Sequence, residues 1–277
     1  MTSDTVRRTP TPDRRAPRRA VLSTGIALAL GVAAAPFSSA DALAIRVDED
    51  AFIAGSGLIT FSEFPLGTID PTYAPADYGG GAGSPTVTFD GYFDGQTLSG
   101  DPGADCPGAA ATACVVGSPT APLGLDAGAP DTEIVEDGAN PTSPVLSGTP
   151  TFDGPIAVLF SEDQFGVGFD GGFFDAAEST GITAFARDGS LLGTVTNEGE
   201  GIEFLGLVTD SGVEEIAGVF LDLVGSEPAG FAIDNIRFGR REEIREPGET
   251  VIPVPAALPL LGLGVIGLAA FGRRRRG

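Results

Sequence analysis

Several residue types that carry much of protein chemistry are absent from this chain of 277 residues. It has no His and no Trp, all 16 of its basic residues are Arg, and it has two Cys and one Met. The lack of His excludes Ser-His-Asp and Cys-His catalysis and His-ligated zinc, because each of these sites needs an imidazole. Without Trp, and with only Tyr73, Tyr78 and Tyr92, the chain has few aromatic platforms for binding sugars.

Gly, Pro and Phe are abundant, at 41, 22 and 18 residues. Gly and Pro interrupt helices and punctuate strands, whereas Phe favours strands, so this composition predicts an all-β fold. No helical period longer than two turns occurs between Ile45 and Pro247, which disfavours α/β folds with crossover helices. The sequence therefore predicts an antiparallel β-sandwich of jelly-roll type.

Runs of β-branched and aromatic residues predict about nine strands. These runs are Leu58–Phe61, Thr86–Phe89, Ile156–Phe160, Phe165–Phe169, Gly181–Ala186, Leu191–Thr196, Ile202–Val208, Glu215–Val224 and Gly230–Phe238. Asp188 and Gly189 separate the fifth run from the sixth, and an Asp-Gly pair is a strong hairpin signal. Ile182–Thr196 is accordingly predicted to form one hairpin.

The first 44 residues have the features of a signal peptide. Six Arg residues precede the apolar run Val21–Ala35, and the small residues that follow end in Ala42-Leu43-Ala44. Cleavage after Ala44 is expected, with Ser38-Ser39-Ala40 as an alternative site. Arg18 and Arg19 resemble a twin-arginine signal, so the sequence leaves both Sec and twin-arginine export open.

The C-terminal tail, residues 251–277, predicts a transmembrane helix. Its apolar part, Val251–Phe271, has about the 20 residues that a helix needs to cross a bilayer. Arg273, Arg274, Arg275 and Arg276 follow it, and such a cluster stays on the cytoplasmic side. The preceding domain is therefore expected in the periplasm while the tail is in the inner membrane.

The order of these tail features resembles the PEP-CTERM sorting signal in its VPLPA-type variant. The matching motif is Ile252, Pro253, Val254, Pro255 and Ala256, and the first and third of these replace Val and Leu conservatively. The resemblance implies that an exosortase recognises the tail, removes it, and delivers the protein to the cell surface or extracellular matrix. The variant does not settle which exosortase subtype acts.

The predicted mature part is strongly acidic. Residues 1–44 hold three of the 38 acidic residues, so a chain running from Ile45 to about Pro255 keeps 35 of them. Only six of the 16 Arg lie in that range, which gives a net charge near −29 against −22 for the whole chain. A field of this sign repels nucleic acid and anionic lipid, so no nucleic-acid partner is expected. Salt tolerance and cation capture remain alternative reasons for the charge.

The predicted sandwich spans residues 57–239, between linkers at 45–56 and 240–250. Within it, Ser99–Pro150 is rich in Gly, Pro, Ala, Asp and Thr and is expected to be a long surface insertion. Cys106 and Cys114 lie inside this insertion, and export would place them in an oxidising compartment. They are predicted to form a structural disulfide.

The domain as a whole resembles the β-sandwich ectodomains of PEP-CTERM proteins. Its segment Ile233-Asp234-Asn235-Ile236 is similar to the last strand of jelly-roll carbohydrate-binding modules. In those modules an acid at this place often binds a structural calcium, so the resemblance implies Asp234 as a calcium ligand. No other cofactor is expected. The residues at 169, 173 and 174, all Phe, are expected in the core.

These observations lead to one expectation and two alternatives. The expectation is an exported, non-catalytic surface or matrix protein that associates with exopolysaccharide or other envelope components. The first alternative is a calcium-dependent carbohydrate-binding adhesin. The second is a secreted hydrolase, which would need two facing carboxylates with different pKa values, and the acidic residues are too numerous for the sequence to select such a pair.

Overall fold

Short strands joined by Gly- and Pro-rich turns make up most of the regular structure in residues 44–138 and 143–245, the part of the chain that the computed structural model describes. The strands are β1 Ala44–Arg46, β2 Gly57–Ile59, β3 Thr72–Tyr73, β4 Val87–Asp90, β5 Gln96–Leu98, β6 Val115–Gly117, β7 Thr132–Glu136, β8 Pro144–Gly148, β9 Ala157–Gln164, β10 Gly166–Phe174, β11 Thr180–Phe185, β12 Leu191–Thr196, β13 Gly201–Thr209, β14 Ile216–Leu223 and β15 Ala232–Gly239. The helical elements are the one-turn helix α1 Pro102–Asp105 and 3-10 turns at Glu49–Ala51, Ala111–Ala113 and Arg241–Glu243.

The strands form two large antiparallel sheets. The first has the order β1-β13-β10-β15-β8-β7, and β2 pairs with β15 beside β8. The second has the order β12-β11-β14-β9-β4-β3, while β5 and β6 form a separate two-stranded ribbon. The predicted all-β sandwich of antiparallel strands is confirmed.

The core lies between the two sheets and is built from strands of both. Alternation with a period of two is clearest in β4, where Val87 and Phe89 are buried and their neighbours are not. Phe169 and Phe238 of the first sheet share one apolar cluster with Phe160 of the second. Burial of each such side chain contributes about 1.5–3 kcal/mol, so the Phe-rich composition is what makes this core possible.

The predicted hairpin is present. Strands β11 and β12 pair antiparallel from Gly181↔Thr196 to Phe185↔Leu191. In the turn, Gly189 has φ +80°, and Asp188 Oδ1 accepts hydrogen bonds from the Ser190 N–H and hydroxyl. The Asp-Gly signal therefore identified both the position and the chemistry of this turn.

Part of the predicted surface insertion belongs to the sandwich, which corrects the expectation for Ser99–Pro150. Strands β7 and β8 pair over five residues each, and Ile134 and Leu146 are fully buried in the main core. The Thr132–Glu136 segment alternates buried and exposed residues. Its acidic exposed positions and the Gly- and Pro-rich sequence around it obscured this strand pattern.

The expected linkers also belong partly to the fold. Ile53 N–H donates to the Glu243 carbonyl, Arg245 N–H donates to the Ala51 carbonyl, and Phe52 forms a β-bridge with Ile244. We call residues 47–53 together with 239–245 the terminal clasp. Its apolar side chains Val47, Ala51, Phe52 and Ile244 form a small cluster with Phe165 and Val208 of the sandwich. Described residues on both sides of the predicted range 57–239 therefore take part in the fold.

The signal peptide up to Leu43 and the tail from Val251 lie outside the described residues. Among the helices of residues 44–138 and 143–245, none has the length and apolar character required to span a bilayer.

Candidate functional site

The predicted functional residues fall in different parts of the chain. Ala44 is the first residue of β1, and Asp234 lies inside β15. The sorting motif at Ile252–Ala256 and the Arg block at Arg273–Arg276 lie outside the described residues. Only Ala44, the two Cys and Asp234 can therefore be placed in the fold.

The predicted disulfide is present between Cys106 and Cys114, with an S–S distance of 2.05 Å. Cys114 is fully buried and Cys106 nearly so, and both belong to the main core cluster. The bond closes the loop between Cys106 and Cys114, which contains the 3-10 turn Ala111–Ala113. The burial of both Cys residues in the core fits the predicted structural role.

All three Tyr residues are engaged in packing. Tyr73 is fully buried against Phe61 and Phe89, with ring centroids 6.1 and 5.9 Å away, and Tyr92 is also buried. The Tyr78 ring meets the edge of Phe238 at a centroid distance of 5.3 Å. These Tyr residues leave no flat face of the kind that sugars stack on.

Phe173 is the one exposed Phe among those in the described residues, at 58% exposure, and this corrects its predicted place in the core. It lies in a β-bulge, where Gly172 and Phe173 of β10 are opposite Ile202 of β13. The bulge turns Phe173 outward while Phe174 enters the core with 1% exposure. Ile202 is exposed at 50%, so the two side chains form an apolar surface pair.

Gly172 makes this bulge possible. A side-chain carbon at Gly172 would lie 2.7 Å from the Gly201 carbonyl oxygen, and its φ of +149° is one that other residues rarely adopt. Gly201, on the opposite strand, has a φ of +85°, which also favours Gly, and a carbon added there would make only an ordinary contact of 3.6 Å with the Phe173 Cζ. The run Gly171-Gly172-Phe173-Phe174 contains this signal, but the sequence alone does not show which Phe turns outward.

Asp234 lies directly opposite Asp170 of the neighbouring strand β10. Asn235 and Ile236 together face Phe169, which makes a second bulge, and Asn235 has a φ of +49°. The Asn235 amide nitrogen donates to Asp170 Oδ2 at 2.9 Å and to Asp234 Oδ2 at 3.3 Å. Burial raises the pKa of Asp170, and the Asn235 hydrogen bond partly offsets this effect. We call Asp170 and Asp234, which share the Asn235 amide, the strand carboxyl pair.

The strand carboxyl pair fits a calcium ion only in part. Calcium takes six to eight oxygen ligands, and the two carboxylates supply at most four. The Asn235 amide N–H group lies where a cation bridging both carboxylates would be expected. Within residues 44–138 and 143–245, no group of three or more acidic or Cys side chains is arranged to hold a metal ion. Calcium binding at Asp234 stays a prediction.

A second carboxyl pair, Asp175 and Glu227, connects two loops at one end of the sheets. Glu227 is fully buried and accepts hydrogen bonds from the Ser179 hydroxyl at 2.7 Å and from the Asp175 N–H at 3.1 Å. Asp175 Oδ2 accepts from the Ala229 N–H at 2.8 Å. Burial raises the pKa of Glu227, and the nearby Asp175 carboxylate raises it further. We call this the loop carboxyl pair.

Asn197 holds the same loops from the other side. Its Oδ1 accepts from the N–H groups of Ser179 and Thr180, and its Nδ2 donates to the carbonyls of Ala176 and Gly199. Asn197 is fully buried, and all four of these partners are backbone groups. The loop carboxyl pair is thus enclosed in a satisfied polar network, which is the environment of a structural latch rather than an open catalytic cleft.

A polar depression of about 640 Å³ lies elsewhere on the surface, between Ser161–Asp163, Arg187, Glu214 and Arg240. Arg187 pairs with Asp163 and also donates to the Phe160 carbonyl at 2.8 Å. Arg240 lies 3.7 Å from both Glu242 and Glu243. Both guanidinium groups are already paired with carboxylates, so neither Arg187 nor Arg240 offers an unpaired positive charge to an anionic ligand.

Comparison with known proteins adds no assignment: the chain matches no protein-family model, and no curated protein is significantly similar to it. The candidate surface is therefore defined by geometry alone. It is the segment Asp170–Asp175, which carries one member of each carboxyl pair at its ends and the exposed Phe173 between them.

Proposed function

We propose that this chain is an exported surface or extracellular-matrix protein. In this proposal a signal peptide directs export by the Sec or twin-arginine machinery, and an exosortase recognises the tail motif Ile252–Ala256. The β-sandwich is non-catalytic and associates with exopolysaccharide. Its jelly-roll type is part of the proposal and is supported by the two large antiparallel sheets.

The observation that carries this proposal is the disulfide inside the β-sandwich. Cys106 and Cys114 are bonded to each other, and such bonds persist in oxidising compartments outside the cytoplasm. Arg245 of the terminal clasp lies ten residues before Pro255. The expected cut therefore falls outside the described residues.

A comparison of protein masses tests this proposal. The protein would be isolated from its own cells and from the surrounding medium, as wild type and with Pro253 and Pro255 both changed to Ala. We expect a wild-type product that ends near Pro255 and a variant that remains full-length in the membrane fraction. Pro247→Ala, outside the motif, is the matched control and should be processed as wild type. A wild-type protein with an intact C-terminus would make the tail a permanent anchor and remove the exosortase from the proposal.

Carbohydrate binding by an adhesin is a second candidate function, favoured by the outward-facing Phe173. A sugar ring presents C–H groups that can stack on one exposed aromatic face, and Ile202 would extend this apolar contact. The Asp170 and Asp175 carboxylates on either side along the chain could accept sugar hydroxyl hydrogen bonds. Calcium dependence is a separate part of this candidate and rests on Asp234.

Co-sedimentation with exopolysaccharide purified from the same cells tests the second candidate. We expect Phe173→Ala to weaken binding about tenfold, the loss of roughly 1.4 kcal/mol of stacking. Leu191→Ala removes an equally exposed apolar side chain on another strand and serves as the control. Equal binding by Phe173→Ala and wild type would exclude this surface, and loss of wild-type binding in EDTA would support a calcium requirement.

A further inference from the structure

The start of the mature chain can be inferred from β1, the first described strand. Ala44, Ile45 and Arg46 pair antiparallel with Thr209, Val208 and Leu207 of β13. This strand covers the free edge of β13, and an uncovered edge strand offers unpaired N–H and C=O groups to other chains. The strand has only three residues, so the loss of any one of them would remove a third of its pairing with β13.

Ala44 also joins the two sheets. It packs against the main core cluster, and its backbone lies on Gly193 of β12 in the second sheet. A side-chain carbon at Gly193 would be 2.6 Å from Ala44 Cβ and 2.7 Å from Ala44 N. The fit between the two strands therefore requires Ala44 and the absence of a side chain at residue 193.

The next residues fix the strand further. The Arg46 guanidinium contacts Glu203 at 3.2 Å and Glu198 at 3.4 Å, and it also donates to the Thr196 carbonyl. Cleavage after Ala44 would remove the first residue of this arrangement. It would also place the charged amino group of a new N-terminus on Ile45, the middle residue of β1.

We propose that the signal peptide is removed after Ala40, so that the mature protein begins at Asp41 and retains the whole of β1. This inference rests on the proposed export. Ser38 and Ala40 supply the small residues that a signal peptidase requires three positions and one position before the cut. Asp41-Ala42-Leu43 then precede β1. On the twin-arginine route, where export follows folding, the bond after Ala44 would already lie within a paired strand.

Two matched substitutions outside β1 distinguish the two cleavage sites in the full chain. Ser38→Gln places a large residue at the critical third position for a cut after Ala40, and Ala42→Gln does the same for a cut after Ala44. We expect Ser38→Gln to accumulate uncleaved precursor and Ala42→Gln to be processed like wild type. The opposite pattern would overturn the inference. Neither residue lies within the described fold, so neither change removes a contact described in the folded domain.

The N-terminus of the exported wild-type protein, determined from its intact mass, gives the direct readout. A start at Asp41 supports the inference, and a start at Ile45 overturns it while leaving export intact. A start at Met1 would overturn both this inference and the proposed signal peptide. As a test of the strand itself, Gly193→Ala should lower the Tm of the exported protein by about 2–4 °C. Gly100→Ala, where a new side chain meets no atom within 4 Å, should leave the Tm unchanged.

Discussion

The two carboxyl pairs of this domain differ in where their hydrogen-bond donors come from. In the loop carboxyl pair, the donors to Asp175 and Glu227 are Ser179 and backbone N–H groups from two separate loops. In the strand carboxyl pair, Asp170 and Asp234 share the amide of Asn235, the residue next to Asp234. The first arrangement joins two loops through backbone and hydroxyl donors, and the second places one shared amide between two neighbouring strands. In a chain this acidic, the source of the donors says more about the role of a carboxyl pair than the number of acids does.

The segment Asp170–Asp175, which carries one member of each pair, should depend on Phe174. Truncating the Phe174 side chain should give the largest effect. Phe174 is 1% exposed, so Phe174→Ala would leave a core cavity and lower the free energy of unfolding by about 3–5 kcal/mol. The neighbouring Phe173→Ala is the matched control and should change it by less than about 0.5 kcal/mol. Chemical denaturation of both variants would measure this difference. Similar losses in the two variants would show that Phe173 is not the exposed member.

The loop carboxyl pair should be the more costly of the two to break. Glu227→Ala leaves the Asp175 N–H and the Ser179 hydroxyl without their acceptor in a buried site, so we expect a loss of about 2–4 kcal/mol. Glu200→Ala, at an exposed position in a nearby turn, is the control. Thermal unfolding would compare them. A loss under 1 kcal/mol for Glu227→Ala would contradict its role as a latch.

The strand carboxyl pair should respond more weakly and in a way that depends on cations. Asn235→Gly keeps the φ of +49° accessible but removes the shared donor, so we expect a loss of about 1–2 kcal/mol from two unbridged carboxylates. Calcium at 10 mM should restore about 1.4 kcal/mol in this variant if the site then binds with a Kd near 1 mM.

The wild-type protein is the reference for this calcium measurement. We expect its Tm to be the same in 10 mM calcium and in EDTA, because the Asn235 amide occupies the bridging position. Magnesium at the same concentration controls for ionic strength. A calcium-specific rise in the wild-type Tm would instead support Asp234 as the calcium ligand that the resemblance implies.

Asp90, whose carboxyl belongs to neither pair, should give the smallest change in stability. Its effect can be compared with those of the two pairs. Burial raises the pKa of Asp90 to about 6, with Asp70, Asp131 and Asp126 adding to the shift, against 3.8 in the unfolded chain. The folded domain therefore holds this proton more tightly. The stability that it contributes below about pH 4 is lost as the pH rises through 6.

Asp90→Asn should remove this loss. At pH 7 the variant should be about 1 kcal/mol more stable than wild type, allowing for solvent screening around a half-buried group, and near pH 3.5 the two should be alike. Urea titrations across this pH range would measure the difference. Asp101→Asn, at an exposed position, should leave the wild-type pH profile in place. An Asp90→Asn profile as steep as that of wild type would show that other groups cause the slope.

Most long strands with apolar runs were well predicted from the sequence, whereas β9 and β10 continue four and five residues past their predicted ends. The prediction of Leu191–Thr196 coincides with β12, and those for β11, β13, β14 and β15 differ from the structure by two residues or fewer at each end. These strands contain enough β-branched and aromatic residues to define their own pattern. Strands β1, β3, β5 and β6 are two or three residues long, and partners remote in the sequence determine them.

Among the site residues, too, the sequence identified some and missed others. The disulfide followed from the number of Cys and the expected compartment, and it is confirmed. Glu227 gave no signal, because it precedes a Pro in a loop and meets Asp175 across 52 positions of sequence. Phe173 and Phe174 are adjacent residues of the same type, and a single bulge determines which of them faces the solvent. Such features depend on register, which composition and periodicity do not contain.

The terminal clasp means that the chain enters and leaves the domain at one place, since residues 47–53 lie against residues 239–245. A domain of this kind has a single point of attachment, and it can be transplanted into an exposed loop of another protein without stretching either junction. When its ends are tethered, most of its surface stays available to the surroundings.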